Sequence, residues 1–318
     1  MSVVRLNENA HLIDCELFGI REAGAVYLVR ANKSCLIDAG TRAEAGVIVR
    51  ELDALGAFPP DILILTHCHF DHAQGTPALC QEAEKRGKAI TVMASVKGVS
   101  SLHDQSWNSV FDDKHQYENI TDVTPLEDGQ TVDLDGLCLK VLNFSGHCID
   151  DIALYDESHK TVFVGDALGN RVKHTTSFPG FMPPFWDPDG FRAAVDRLKH
   201  MDYERICLAH FGCLEGDEAQ RFPNEAVETY ETWWDIFHTA DQEGKLDDKG
   251  YLNERLFREA GLVLPELQVS KPTTRIMMNL VNLIKRVLGQ KPIDPAEIQL
   301  EIIVGWLAKG YRTYMART

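Results

Sequence analysis

The chain has 318 residues, of which 44% are hydrophobic and 25% charged, enough apolar material for a buried core in one large domain or a domain plus a smaller one. Its net charge of −16 works against a nucleic-acid partner, because that binding relies on lysine and arginine displacing counterions from phosphates. The start "MSVVRLNENAHLIDCELF" has no basic cluster followed by a long apolar stretch, and no run reaches the ~20 apolar residues of a membrane helix. The expectation is a cytoplasmic protein with no membrane association.

Taken in chain order, "GAVYLVRANKSCLIDAG" predicts a β-hairpin turning at Ala31-Asn32-Lys33. "RAEAGVIVRELDALGA" has helical spacing and stops at Gly56. "DILILT" is short, apolar and reads as a fully buried strand. A helix over 76–86 and a strand at "AITVMAS" follow. "GLCLKVLNF", "DIALYD" and "TVFVGDA" read as strands, the last two joined through Asp156–Lys160 as a hairpin. "PDGFRAAVDRLKHM" reads as a helix leading into the strand "RICLAH". Strands in both halves, each with attendant helices, define a layered α/β architecture. Past Gly216 the periodicity is helical throughout and no strand is expected, which gives residues 1–215 as a catalytic domain and 216–318 as a helical C-terminal region. Residues 170–188 show no period and read either as a lid or as a loop packed on the helical region. The eight cysteines are scattered, so they read as reduced and mostly structural. Cys68 and Cys148 read as gap-filling neighbours of the histidines beside them.

The chemistry is concentrated in "LTHCHFDH", residues 65–72, which places His67, His69, Asp71 and His72 directly after an apolar strand. In extended chain His67 and His69 point the same way and can reach one metal. Asp71 and His72 follow where the chain turns, so they can face a second. Imidazole and carboxylate ligands suit zinc and also iron or manganese. Three more donors share the same context of a polar group after an apolar strand: His147 in "NFSGH", Asp166 in "TVFVGD" and His210 in "RICLAH".

The ordered set "THCHFDH", "SGH", "GDA", "AHFG" resembles the metallo-β-lactamase superfamily over roughly residues 10–215. That resemblance implies an αββα sandwich, here with a C-terminal helical cap, and a site for two divalent metal ions, zinc first among them. It implies His67, His69 and His147 on one metal, Asp71, His72 and His210 on the other, Asp166 between them, and Asp38 of "LIDAG" as a buttress. Two metals roughly 3.5–4 Å apart share and activate a water for attack on a carbonyl or phosphoryl centre, with Asp71 orienting the nucleophile as the catalytic residue. A catalytic part followed by helices is similar to the glyoxalase II-like group, which implies a small-molecule thioester, ester or lactone as substrate. No basic cluster for the carboxylates of glutathione is evident near the C-terminus. The alternatives are a phosphodiesterase on the same site, with Arg171, Lys173 and His174 meeting the phosphate, and a mononuclear iron persulfide dioxygenase built on His67, His69, His147 and Asp166. A third is a binding protein that retains the site. The apolar helix faces suit either an intramolecular core or a homodimer through the helical region. The "WW" pair at 233–234 reads as core rather than pocket.

Overall fold

The computed structural model describes residues 2–171 and 177–318. In chain order the first half runs β1 (Val3–Arg5), β2 (Ala10–Asp14), β3 (Ile20–Arg21), β4 (Ala25–Arg30), β5 (Ser34–Ile37), α1 (Ala45–Ala54), β6 (Ile62–Leu65), α2 (Phe70–Ala73), α3 (Thr76–Lys85), β7 (Thr91–Ser95), α4 (Val99–His103) and β8 (Thr124–Leu126). Then come β9 (Thr131–Asp133), β10 (Cys138–Asn143), β11 (Ile152–Asp156), β12 (Thr161–Gly165), α5 (Pro188–Lys199), β13 (Arg205–Leu208) and β14 (Gly212–Glu215). The remainder is α6 (Gly216–Gln242), α7 (Lys249–Glu259), β15 (Gln268–Val269), α8 (Pro272–Val287) and α9 (Pro295–Met315).

The strands form a seven-stranded sheet in the order β1-β2-β4-β5-β6-β7-β8 and a six-stranded sheet in the order β14-β13-β12-β11-β10-β9. Side chains from the inner faces of both, among them Tyr27, Ile37, Ile64, Val141, Leu154 and Phe163, pack into one cluster. The outer face of the first sheet is covered by α1 and α3 through Ile48, Leu52 and Leu79. The outer face of the second is covered by α5, α6, α7 and α9 through Phe191, Trp233, Leu252 and Leu307. This is the layered α/β architecture expected from the strand and helix pattern, in the αββα form that the resemblance implies. The run "ILIL" of β6 is buried at every position because its two neighbours, β5 and β7, pair with it in parallel and both faces are covered.

Several details depart from the sequence reading. Cys207 and Cys213 form a disulfide across the β13–β14 hairpin, so these two are not reduced thiols. Antiparallel register sets them opposite each other, which their spacing alone does not reveal. One short strand does follow residue 216: β15 pairs with β3 as a separate two-stranded ladder. α6 begins at Gly216 and runs through Pro223. Proline cannot donate to the carbonyl four residues back, and the Tyr203 hydroxyl donates to that carbonyl, Ala219 O, at 3.4 Å.

Of the irregular stretch, residues 172–176 lie outside the described residues, Lys173 and His174 with them. The part from Ser177 to Trp186 is packed rather than free. Phe181 and Trp186 are fully buried against Tyr230 of α6, and Phe181 also against Phe237. The Trp233 ring is likewise core.

α9 fastens the helical layer to the loops around the β-strand ends. Lys309 Nζ donates to Val110 O at 2.8 Å, Trp306 Nε1 to Phe111 O at 3.4 Å, and Arg317 to Trp186 O at 2.8 Å. Gly310 lets α9 lie directly on the Phe181–Met182 backbone, where a Cβ would collide with the Phe181 carbonyl. At Gly305, on the same helix, the nearest atoms to a Cβ are those of the Lys249 side chain at 3.6 Å. Gly310→Ala should therefore lose about 1–3 kcal/mol through overpacking, whereas Gly305→Ala should be neutral or gain up to about 1 kcal/mol through helix propensity. Urea unfolding midpoints of the two variants check the contrast.

Candidate metal centre

All seven predicted donors follow strand ends on one edge of the sandwich: residues 67–72 after β6, His147 after β10, Asp166 after β12 and His210 after β13. After Leu65 the chain bends at Thr66 and His67, and His69, at a φ of −59° and a ψ of 147°, is the residue before the single turn of α2, which carries Asp71 and His72. Gly165, at a φ of +54°, packs its α-carbon against the Thr66 side chain, leaving no room for a Cβ. That close approach of β12 to the motif carries Asp166 into the cluster.

The seven side chains meet. His69 Nδ1 lies 3.0 Å from His67 Nε2 and 2.8 Å from His147 Nε2. Asp166 Oδ2 lies 3.3 Å from His210 Nε2, 3.5 Å from His72 Nε2 and 3.8 Å from His147 Nε2. Asp71 lies 3.4 Å from His210 Nε2 and 3.9 Å from His72 Nε2. Two overlapping nests result. One is His67, His69 and His147, the other Asp71, His72 and His210, and Asp166 stands between them.

The outer nitrogens of His67, His72, His147 and His210 are engaged, which leaves their inner ones to face the nest, whereas His69 Nε2 is buried with no hydrogen-bond partner. His72 Nδ1 donates to Asp38 Oδ2 at 2.9 Å, His147 Nδ1 to Gly180 O at 2.7 Å, and His210 Nδ1 to Ala23 O at 2.9 Å. Each such bond fixes the tautomer and aims the Nε2 lone pair inward. Thr66 Oγ1 lies 3.1 Å from His67 Nδ1, and Asp151 Oδ1 lies 3.6 Å away. Asp38 holds the whole loop: its carboxylate also accepts from Thr66 N at 2.8 Å and from Thr66 Oγ1. The buttressing position that resemblance gave to Asp38 is where the geometry puts it.

These residues fit a cationic group. His72 Nε2 is buried with no hydrogen-bond partner and faces the carboxylates of Asp166 and Asp71. Burial opposes charge there, but Asp166, Asp38 and Asp71 raise His72 well above the usual imidazole range, so the nest calls for a cation at this point, a proton or a metal ion. Burial first, and neighbouring imidazoles second, hold His67 and His69 well below the usual imidazole range, so their lone pairs are available. Burial works against the carboxylates, yet His72 and His210 hold Asp71 down at about 2 and Asp166 well below the usual carboxylate range. Burial also opposes charge on His210, but Asp166 and Asp71 raise it to about 10. The same anions attract protons or metal ions, and the two compete.

The acceptors Ala23 O and Gly180 O escaped the sequence reading, because a backbone carbonyl carries no residue signature. Asp151 escaped it because nothing in "CIDD" marks which carboxylate turns towards His67. Cys68 and Cys148 turn away from the seven donors. Their sulfurs are 3.7 Å apart and Cys68 lies 3.3 Å from Asp150, in a separate buried group. Arg171, offered as a phosphate contact, is paired instead with Glu218 at 3.2 Å and Glu225 at 3.3 Å on α6.

A sandwich of two sheets with a histidine-carboxylate nest at one edge defines a class of metal-dependent hydrolases. The family model of the metallo-β-lactamase superfamily matches residues 19–210, and the chain belongs to that superfamily. Among curated proteins it is 32% identical over 158 residues to a hydroxyacylglutathione hydrolase of Bradyrhizobium sp. (strain ORS 278), covering 47% of this chain and 52% of that one. It is 26% identical over 155 residues to a probable metallo-hydrolase of Methanocaldococcus jannaschii, covering 45% and 66%. The chain thus spans about half the length of the hydroxyacylglutathione hydrolase. Similar solved structures include an archaeal metallo-β-lactamase superfamily protein from Sulfolobus tokodaii, with a TM-score of 0.53 and 20% identity over 71% of this chain and 86% of that one. A metallo-β-lactamase from Pontibacter korlensis gives 0.54 and 17% over 72% and 98%. At these identities the likeness establishes the fold.

Asp38 sits at a φ of +64°, a region that asparagine tolerates and alanine does not. Asp38→Asn keeps the backbone but turns one oxygen into a donor facing either Thr66 or His72. Metal affinity, read by competition with a chelator, should fall about 10–100-fold, with little change in the far-ultraviolet circular dichroism.

Proposed function

We propose that the protein is a dinuclear metal-dependent hydrolase of neutral thioesters, esters or lactones with an apolar acyl part. The meeting of five imidazoles and two carboxylates at one edge of the sandwich is the observation that carries the hydrolase reading. Two divalent ions held there, zinc foremost, would lower the pKa of a shared water towards neutrality and polarise the scissile carbonyl. His67, His69 and His147 would hold one ion, Asp71, His72 and His210 the other, and Asp166 would bridge.

The chain's own residues supply the rest. Asp71 is ionised and half-turned to the pocket, so it can orient the attacking water and accept its proton. The pocket beside the nest is walled by Phe18, Phe70, Phe111 and Trp306 on one side and by Phe178, Met182, Leu300 and Ile303 on the other. Phe111 packs on His69 at 5.2 Å and on Trp306 at 5.2 Å between ring centroids, so the aromatic wall begins at the metal ligands. These faces exclude water from an acyl chain and hold its carbonyl over the nest.

The wall also supports a choice among substrates. No lysine or arginine is among the described residues lining the pocket. A phosphodiester or the carboxylates of glutathione would be buried there without a side-chain cation, which is costly. The names of the curated relatives favour acyl thioester cleavage, and the pocket favours a less charged thioester than theirs.

Three outcomes are expected. Asp166→Ala should lower the bound metal below two ions per chain and abolish hydrolysis, and unchanged metal content and activity would sink the proposal. Asp71→Asn should reduce kcat about 10²–10⁴-fold. In an acyl-thioester series, kcat/KM should rise about fourfold per methylene, from roughly 0.8 kcal/mol of transfer free energy each, and Ile303→Ala should flatten that rise. Faster turnover of bis-p-nitrophenyl phosphate than of any thioester would reverse the substrate assignment. Oxygen uptake on a persulfide would replace hydrolysis altogether.

A further inference from the structure

α8 is built the wrong way round for a helix of a single chain. Ile276, Met277, Leu280, Val281, Leu283, Ile284, Val287 and Leu288 are between 37% and 79% exposed, and no residue of α8 is buried. At about 100° per residue these side chains fill a continuous sector of roughly 160°. The side towards the body carries Met278, Asn282 and Lys285, the half-buried residues of the helix. Asn282 accepts from Ile293 N at 2.7 Å and donates to Ile293 O at 3.0 Å, tying that side to the turn before α9. At its other end Ser270 N donates to Gly19 O at 2.8 Å. The helix is held in place with its apolar side turned outward.

We propose that this face is the homodimer interface of the protein, covered by a second copy of the chain. Two observations select that occupant. The first is spacing. Ile276, Leu280, Leu283 and Val287 follow a four-three-four pattern, and Met277, Val281, Ile284 and Leu288 repeat it one residue on. These are two adjacent heptad seams. A helix with two seams packs between two neighbouring helices, and a self-associating pair of helical layers supplies both. A lipid surface requires no such register.

The second is size and composition. Eight aliphatic side chains exposed to this degree leave roughly 500 Å² of apolar surface in water, taking ~100 Å² for each whole side chain. With its polar flanks the face approaches the ~800 Å² per partner of a stable interface. No tryptophan, tyrosine or phenylalanine occurs between residues 272 and 288, whereas helices lying in a membrane surface are commonly anchored by aromatic rings.

Residues 271–291 contain Lys271, Arg275, Lys285, Arg286 and Lys291 and no acid, so charge gives no attraction between two identical faces and the apolar contact has to carry the association. The interface is isologous, one face meeting the same face, as two-fold symmetry requires.

The test is the solution mass of the full chain by size exclusion with light scattering, with no step that depends on activity. The wild type should run at twice 35.7 kDa. Leu280→Glu with Ile284→Glu should run at 35.7 kDa while keeping its metal content and circular dichroism. Met277→Glu with Val281→Glu tests the second seam, should give the same result, and guards against one pair failing to fold. A monomeric wild type overturns the proposal, as does a dimer that both double variants leave intact. Flotation of a monomeric wild type with phosphatidylcholine–phosphatidylserine vesicles would overturn it in favour of a membrane surface.

Discussion

An imidazole presents a lone pair to a cation only while its other nitrogen keeps the proton, and in a dry interior that proton needs an acceptor. The site depends on meeting this condition. Asp38 serves His72, the Gly180 carbonyl serves His147, and the Ala23 carbonyl serves His210. These acceptors come from the end of β5, from the segment ahead of α5 and from the turn before β4. Remove the sandwich that assembles them and the ligands lose their tautomers along with their positions.

The carboxylates add a second demand. Asp166 is a buried anion and Asp71 a partly buried one, and such an anion is tolerated only beside compensating charge. Two divalent ions meet that demand as well as the histidines do. Burial therefore serves two ends. It would favour highly charged ions in the nest proposed above, and it would strengthen the field that an activated water feels there.

The C-terminal helices belong to this arrangement. α9 contributes Leu300, Ile303 and Trp306 to the pocket. It also pins both the 105–111 segment, which carries Phe111, and the 181–186 segment, which follows the carbonyl that orients His147. One apolar cluster runs from the second sheet through α5 and α6 to α9. Pocket shape and ligand orientation are thereby coupled through a single packed body. α8 stands apart, tied to the turn before α9 through Asn282 with its aliphatic side outward.

The sequence by itself determined the donor set and most elements. Two-residue spacing after an apolar strand marks His67 and His69 as a pair, and apolar runs ending in His147, Asp166 and His210 mark further strand ends. Such signals are local, so they survive in one dimension. Only the tertiary structure decided which atoms accept from those histidines, that Cys207 bonds Cys213, that Arg171 faces Glu218 and Glu225 rather than the pocket, and that residues 177–186 are core. It also decided which side of α8 faces out. Amphipathic spacing shows that a helix has an apolar side, but its direction is set by what packs around it, and backbone acceptors and cross-strand partners are fixed by register between segments far apart in the chain.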